Sequence, residues 1–158
     1  MKKLAKRKQV WKDGDYFMVP LAKDKFAIGQ IISLEKNCMD SVLCVFFSRL
    51  LDQIPDAKTK LDNLNIISVQ ITTRDLLDNG KWKVFSSGDI LNISDVFPIE
   101  RLRNSGYIGA IIEGSGVIRD FLEAFHGLAF WDQYADARYF DNLLISGVCR
   151  PTDAVFSK

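Results

Sequence analysis

The alternation of apolar and polar stretches in the first third of the chain predicts an antiparallel meander. Apolar and aromatic runs at 16–21, 26–34 and 40–48 are separated by the short polar turns Lys23-Asp24-Lys25 and Glu35-Lys36-Asn37. Runs of this length, rich in β-branched and aromatic residues, are typical of strands. The third run is almost continuously apolar, which is typical of a strand covered on both faces. We therefore expect three strands joined by tight turns.

The middle of the chain predicts further strands between longer polar segments. Residues 50–65 are polar and contain Pro55, which indicates a loop. Residues 66–72 alternate between apolar and polar side chains, as a half-buried strand does. Gly29, inside the second strand, indicates a bulge, a bend or a close approach of two backbones. The shorter elements expected are strands at 82–85 and 108–112, a helical turn at 74–77 and a polar loop at 101–107.

The last third of the chain changes to a helical period. Between 117 and 125 the apolar residues fall on one face of a helix and the charged residues on the other, and Gly127 suits the helix end. A second, shorter helix is expected over 135–145. Since strands come first and helices last, the predicted fold class is α+β, a curved antiparallel sheet of about five to six strands with one or two C-terminal helices packed on it.

Length and charge change this picture only at the N-terminus. The 158 residues suit a basic, flexible tail at 1–10 and a single domain at 11–158. Five of the first eight residues are basic, and the remainder holds 16 basic and 20 acidic residues, a net charge of −4. No apolar segment follows the basic start as it would in a secretory signal, and no run approaches the roughly 20 residues of a membrane span. We expect a cytoplasmic protein.

Candidate catalytic and metal-binding residues are few. The cysteines (Cys38, Cys44 and Cys149) are odd in number and lack CxxC spacing, so neither a disulfide framework nor a zinc site is expected. The single histidine, His126, is a catalytic candidate, but its alternative is a position at a helix C-terminus that favours the cationic form. The aspartates at 132–141 do not follow the calcium-loop spacing, and Asp136 suits a capping position. We expect no catalytic residue, no metal and no cofactor.

Residues 124–146 combine aromatic side chains with carboxylates. Six acids and only two arginines lie between 113 and 141, and an acidic surface suits a basic partner and repels nucleic acid. Aromatic residues among carboxylates occur at protein interfaces. The alternative interpretation, preferred for each aromatic residue taken singly, is that it buries the end of the chain against the sheet.

Two of these stretches, with GKW at 80–82, resemble a known family. The segments GDYFMVPL at 14–21 and FAIGQI at 26–31 resemble the opening hairpin of the immunity protein 26 family of bacterial polymorphic toxin and contact-dependent inhibition systems. The tail FHGLAFWDQYADARYFDNLL at 125–144 is similar to that family's "YHGL-x-x-W-D" and "Y-x-D-P-x-Y-F-D-x-L-L" motifs. Two positions depart from it, because Ala137 replaces a frequent proline and Phe125 replaces a tyrosine.

The resemblance implies a non-enzymatic antidote. Such a protein binds a cognate toxin C-terminal domain, often a basic nuclease, in a 1:1 complex and blocks its active site or substrate path. The alternative is a small β-rich nucleic-acid-binding or regulatory domain that uses the basic tail. The first interpretation predicts partner contacts without direct nucleic-acid or membrane binding, from the acidic and aromatic residues Glu113, Asp120, Glu123, Trp131, Asp132, Tyr134 and Asp136.

Overall fold

A six-stranded sheet is the centre of the computed structural model, which describes residues 8–157. The spatial order is β5-β1-β2-β3-β4-β6, and all neighbours are antiparallel except β4 and β6. The sheet with its helices confirms the α+β prediction. The strands are β1 (Asp15–Leu21), β2 (Lys25–Glu35), β3 (Ser41–Leu51), β4 (Ile66–Thr72), β5 (Val84–Ser87) and β6 (Ile112–Glu113).

The predicted meander is present, and its register explains Gly29. A 3-10 turn at Ala22–Asp24 connects β1 to β2, and this pairing sets Phe17 opposite Gly29. A Cβ atom on residue 29 would lie 2.4 Å from Cζ of Phe17. The glycine therefore leaves the space that the Phe17 ring occupies.

The helices correct two sequence predictions. They are α1 (Asp75–Asp78), α2 (Ile99–Asn104) and α3 (Ser115–Phe125), with a 3-10 turn at Asp141–Leu143. The prediction of a polar loop at 101–107 is wrong in its first half, because α2 continues to Asn104. This helix buries only Ile99 and Leu102. The helix expected over 135–145 is also wrong. Its aromatic residues are held in successive turns, of which only Asp141–Leu143 is helical.

Alternate strand residues build two separate cores, one on each face of the sheet. Helix α3 covers the face that carries Phe17 and Phe46, together with Trp131 and Phe140 from the segment that follows it. Segment 88–110, including α2, covers the face that carries Met18, Ile28, Val45 and Phe47, among others. We call these the α3 face and the α2 face. This double covering explains why β3 is buried over its first seven residues.

The last residues of the predicted basic tail contact the domain. Gln9 donates from Nε2 to the carbonyl oxygens of Leu77 and Trp82, at 2.9 Å each, and its Oε1 accepts from the Val84 N–H. The backbone N–H of Lys8 donates to the Asp78 carbonyl oxygen at 2.9 Å. Residues 1–7 of the expected tail lie outside the described residues.

Candidate functional site

The chain changes faces of the sheet at the edge of β4 that lies away from β3. Tyr107, Ala110 and Ile112 pack on the α2 face, and α3 begins on the opposite face three residues after Ile112. The return crossing occurs between Leu143, on the α3 face, and Ile145, on the α2 face. The Ile145 N–H donates to the Ile67 carbonyl oxygen at 2.9 Å, while β6 pairs with β4 at Ile71 and Thr72. Both crossings therefore use the same strand edge.

The two crossings leave part of this edge uncovered. The Ile67 carbonyl and the Thr73 N–H both point away from β3, toward Ile145 and Glu113 respectively. The pairing of β4 with β3 is regular from Ser68 to Thr72, and backbone groups alternate in direction along a regular strand. Counted back from Thr73, the N–H and C=O of Val69 therefore also point outward. Among residues 8–157, no hydrogen-bond partner lies on that side of Val69. An unpaired strand position of this kind is able to accept another chain.

A surface groove runs beside this open position. One part, of about 310 Å³, lies between β4, α2 and the loop that follows α2. A second part, of about 230 Å³, extends toward Glu113, Asp136 and Tyr139. The two parts share four lining residues, so they form one continuous surface that we call the edge groove: Gln70, Ile111, Asn142 and Leu143.

The loop at 105–111 presents two exposed apolar side chains, of which Ile111 lines the edge groove. Ile108 is 75 % exposed and Ile111 is 69 % exposed. The backbone around them adopts left-handed conformations at Gly106, Tyr107 and Gly109, and the Tyr107 N–H donates to the Leu102 carbonyl oxygen at 2.6 Å. The loop is thus a hydrogen-bonded structure that directs two isoleucines into solvent.

A buried carboxylate anchors that loop to the sheet. Glu35 accepts hydrogen bonds from Nε and Nη2 of Arg103, at 2.8 and 2.9 Å, and from the Tyr107 hydroxyl at 2.8 Å. The Ser33 hydroxyl also donates to it, at 2.5 Å. Burial alone would raise the pKa of Glu35, but the hydrogen bonds from Arg103, Ser33 and Tyr107 outweigh burial and lower it. The carboxylate is therefore charged at neutral pH and fixes both α2 and Tyr107.

Three of the predicted partner-binding carboxylates also make internal hydrogen bonds. Glu113 is 6 % exposed and accepts from the Tyr139 hydroxyl at 2.8 Å. Asp120 accepts from the Tyr134 hydroxyl at 2.7 Å, a bond that adds to burial in raising the pKa of Tyr134. Glu123 accepts from the Ala22 N–H at 2.7 Å. These bonds connect β6 and α3 to the C-terminal turns, and α3 to the turn between β1 and β2.

The remaining predicted residues lie along the segment after α3. Trp131 is 1 % exposed and donates from Nε1 to Asp141 at 3.0 Å. Asp132 accepts from both the N–H and the hydroxyl of Ser157. The exposed side chain of Asp136 accepts from the Arg138 N–H at 2.9 Å and so caps a turn, not the helix that was expected to follow it. The structure brings only two of the seven predicted residues, Glu113 and Asp136, into the edge groove.

The aromatic residues of this segment form one cluster on α3. The ring of Phe140 lies 5.8 Å from that of Phe121 and 5.7 Å from that of Trp131, both in edge-to-face geometry. Tyr134 and Tyr139 pack edge-to-face at the border of the cluster and direct their hydroxyls to Asp120 and Glu113. The aromatic residues of this segment thus serve mainly to pack the end of the chain against α3. The two tyrosine hydroxyls also hold the carboxylates of Asp120 and Glu113 in place.

His126 lies at the end of α3, but its predicted cationic form is wrong. Burial lowers the pKa of His126 to about 4, so the ring is neutral at pH 7. Its Nε2 is buried without a hydrogen-bond partner, and the ring packs edge-on against Phe125.

Within residues 8–157 no His, Cys, Asp and Glu side chains are grouped so as to hold a metal ion. Helices long and apolar enough to cross a membrane are also absent from these residues.

Sequence reasoning missed the edge groove. The sequence predicts a strand at 108–112, but only the last residue of that segment, Ile112, belongs to β6. The available signal was the pair of glycines, Gly106 and Gly109, on either side of Tyr107-Ile108. That spacing suits left-handed turns better than a strand.

Comparison with known proteins agrees with the resemblance. The family model of immunity protein 26 matches residues 12–99, more than half of the chain. The match covers the strands β1 to β5 and ends at the first residue of α2. No curated protein and no solved structure matches the chain. With its hairpin, its meander and this match over residues 12–99, the chain belongs to the immunity protein 26 family.

Proposed function

We propose that this protein binds the C-terminal domain of a cognate polymorphic toxin in a 1:1 complex, in the cytoplasm, and so blocks the active site or substrate path of the toxin. The family match over residues 12–99 is the observation that carries the proposal. Inhibition requires binding alone, so no catalytic group is assigned to the chain. The producing cell is protected as long as the complex outlasts the exposure to toxin.

The proposed toxin is a nuclease. A nuclease presents a basic surface to its anionic substrate, and the chain after residue 8 has 16 basic and 20 acidic residues. Complementary charge accelerates association and favours the correct partner over others. We place the contact on the acidic region 113–141, with the carboxylates of Glu113, Asp120, Glu123, Asp132 and Asp136 facing the partner. In this arrangement the Tyr134 hydroxyl supports the Asp120 carboxylate, and Trp131 holds Asp141 in the same segment.

Co-expression tests the proposal. The toxin domain encoded beside this gene is expressed in cells with and without the protein, and growth is followed. We expect growth only when the protein is present, and light scattering of the purified pair should give the mass of a 1:1 complex. Cell death despite abundant, folded protein would show that the proposal is wrong.

The toxin activity is then measured in the purified system. We expect the isolated toxin domain to degrade DNA or RNA, and one molar equivalent of this protein to abolish the cleavage. If the toxin domain cleaves no nucleic acid but is still neutralised, the nuclease assignment fails while the immunity function remains.

A further inference from the structure

The edge groove provides the features that an extended protein segment requires. We infer that it receives an extended segment of the toxin, with an aliphatic side chain against Ile111 and a lysine or arginine side chain between Glu113 and Asp136. This inference rests on the proposed function and assigns the toxin contact to one strand edge.

The apolar part of the contact is Ile111, which lines both parts of the groove, with the exposed Ile108 three residues before it in the same loop. Their exposed fractions of 69 % and 75 % are among the highest of the large apolar side chains in residues 8–157. The loop that carries them is held by the Tyr107–Glu35 hydrogen bond of 2.8 Å. Rigid, exposed aliphatic residues beside a concave surface are typical of binding sites, because little conformational entropy is lost when the partner arrives.

The backbone part of the contact is the open position at Val69. Its outward N–H and C=O lie between Ile67, which Ile145 covers, and the residues paired with β6. The gap is one residue pair long, so it suits a short extended segment rather than a complete additional strand. A residue of the partner that pairs there gains two hydrogen bonds and directs its neighbouring side chains into the two parts of the groove.

The charged part of the contact selects a cation. Asp120 and Glu123 already have Arg119 beside them, at 3.3 and 3.6 Å. By contrast, the ion pairs among residues 8–157 include neither Glu113 nor Asp136. Both line the same end of the groove, where the Tyr139 hydroxyl orients the Glu113 carboxylate. Two carboxylates that take part in none of these ion pairs favour a lysine or arginine side chain of the partner.

Matched variants test the inference with the toxin domain, in a catalytically inactive form, as the probe. Ile111→Asp is compared with Ile54→Asp, because Ile54 is similarly exposed, at 63 % against 69 %. Asp136→Asn is compared with Asp56→Asn, because each aspartate accepts from the N–H two residues later at 2.9 Å, a bond that asparagine retains. Calorimetry then gives the dissociation constant of each complex.

We expect Ile111→Asp to weaken binding about 30-fold or more and Asp136→Asn roughly tenfold at low salt, with both control variants near the wild type. Hydrogen exchange of the wild-type complex should show new protection of the Val69 amide.

Wild-type affinity in Ile111→Asp and Asp136→Asn, or an effect of Ile54→Asp and Asp56→Asn alone, would overturn the inference while the immunity function stands. A dimer of the free protein that Ile111→Asp abolishes would make the groove a self-contact and would also overturn it. If the wild-type protein does not bind the toxin at all, the proposed function fails first.

Discussion

Arg103 in α2 and Glu35 at the end of β2 form a bidentate ion pair that joins the α2 face to the sheet. The distances are 2.8 Å from Nε to Oε1 and 2.9 Å from Nη2 to Oε2. The Glu35 side chain is 1 % exposed and that of Arg103 is 36 % exposed. Because Tyr107 donates to the same carboxylate, this pair also sets the position of the loop that carries Ile108 and Ile111.

Removal of the arginine should therefore destabilise the protein. Arg103→Met keeps most of the apolar stem but leaves the buried Glu35 carboxylate without its main partner, which costs on the order of 2–3 kcal/mol. The control is Glu100→Gln, which removes only the exposed ion pair of the same arginine and should change the free energy of unfolding by less than about 0.5 kcal/mol. Urea denaturation measures both. Equal effects of the two variants would contradict the assigned role of Glu35.

The same carboxylate predicts a pH dependence. The pKa of Glu35 is lower in the folded protein than in the unfolded chain, where it is about 4.3. The stabilisation is therefore complete above the unfolded value and is lost as the pH falls through the folded value. We expect the difference in free energy of unfolding between the wild type and Glu35→Gln to be constant from pH 7 to about 6 and to shrink below about pH 4.5. A difference that grows in acid would contradict this assignment.

In this protein the hydrophobic pattern predicts the long strands more accurately than it predicts the short helices and the turns. The strands at 66–72 and 26–34 were predicted within one residue of their ends because each has a strong apolar pattern. Helix α2 was missed because it is six residues long and only Ile99 and Leu102 are buried. Residues 135–145 were predicted as a helix because their apolar spacing fits one. Instead, Phe140 packs on Phe121 and Tyr139 packs on Phe140 from successive turns.

The candidate site depends on tertiary structure that no local pattern contains. Glu113 and Asp136 could be selected as acids from the sequence, but not their position on one groove. That position arises because two segments far apart in the chain cross the same edge of β4. Trp131 was selected for its type, and its burial follows from contacts with α3 that sequence spacing does not reveal.

The close approach of Phe17 to Gly29 predicts the effect of a single methyl group. Gly29→Ala would place its Cβ 2.4 Å from the Phe17 ring, so β1 and β2 would have to move apart, at a cost of about 1–3 kcal/mol. The matched control is Gly116→Ala in the first turn of α3, where no atom lies within 4 Å of the added Cβ. There we expect a gain of about 0.4–1 kcal/mol, since alanine restricts the unfolded chain. Thermal unfolding of both variants tests the pair, and a neutral Gly29→Ala would contradict this packing.

Trp131 should affect folding rather than toxin contact. Its ring is 1 % exposed and packs on Phe121 and Phe140, so Trp131→Ala should cost about 3–5 kcal/mol. Trp131→Phe keeps part of the ring contacts and should remain folded at 25 °C. We expect the folded Trp131→Phe variant to bind the toxin domain with the wild-type dissociation constant, measured by calorimetry. A large loss of affinity in that variant, with circular dichroism unchanged, would make Trp131 part of the interface.

His126 is the only histidine, so its titration gives one unambiguous signal. Burial lowers its pKa to about 4, compared with about 6.5 in an unfolded chain. Between these values the unfolded state binds the proton more readily, so stability falls as the pH is lowered from 6.5. Nuclear magnetic resonance of the ring should show neutral imidazole at pH 6. His126→Gln should remove the loss of stability between pH 6.5 and 5, a range above the titration of most carboxylates. A ring pKa above 6 would show instead that the carbonyl groups at the end of α3 stabilise the cation.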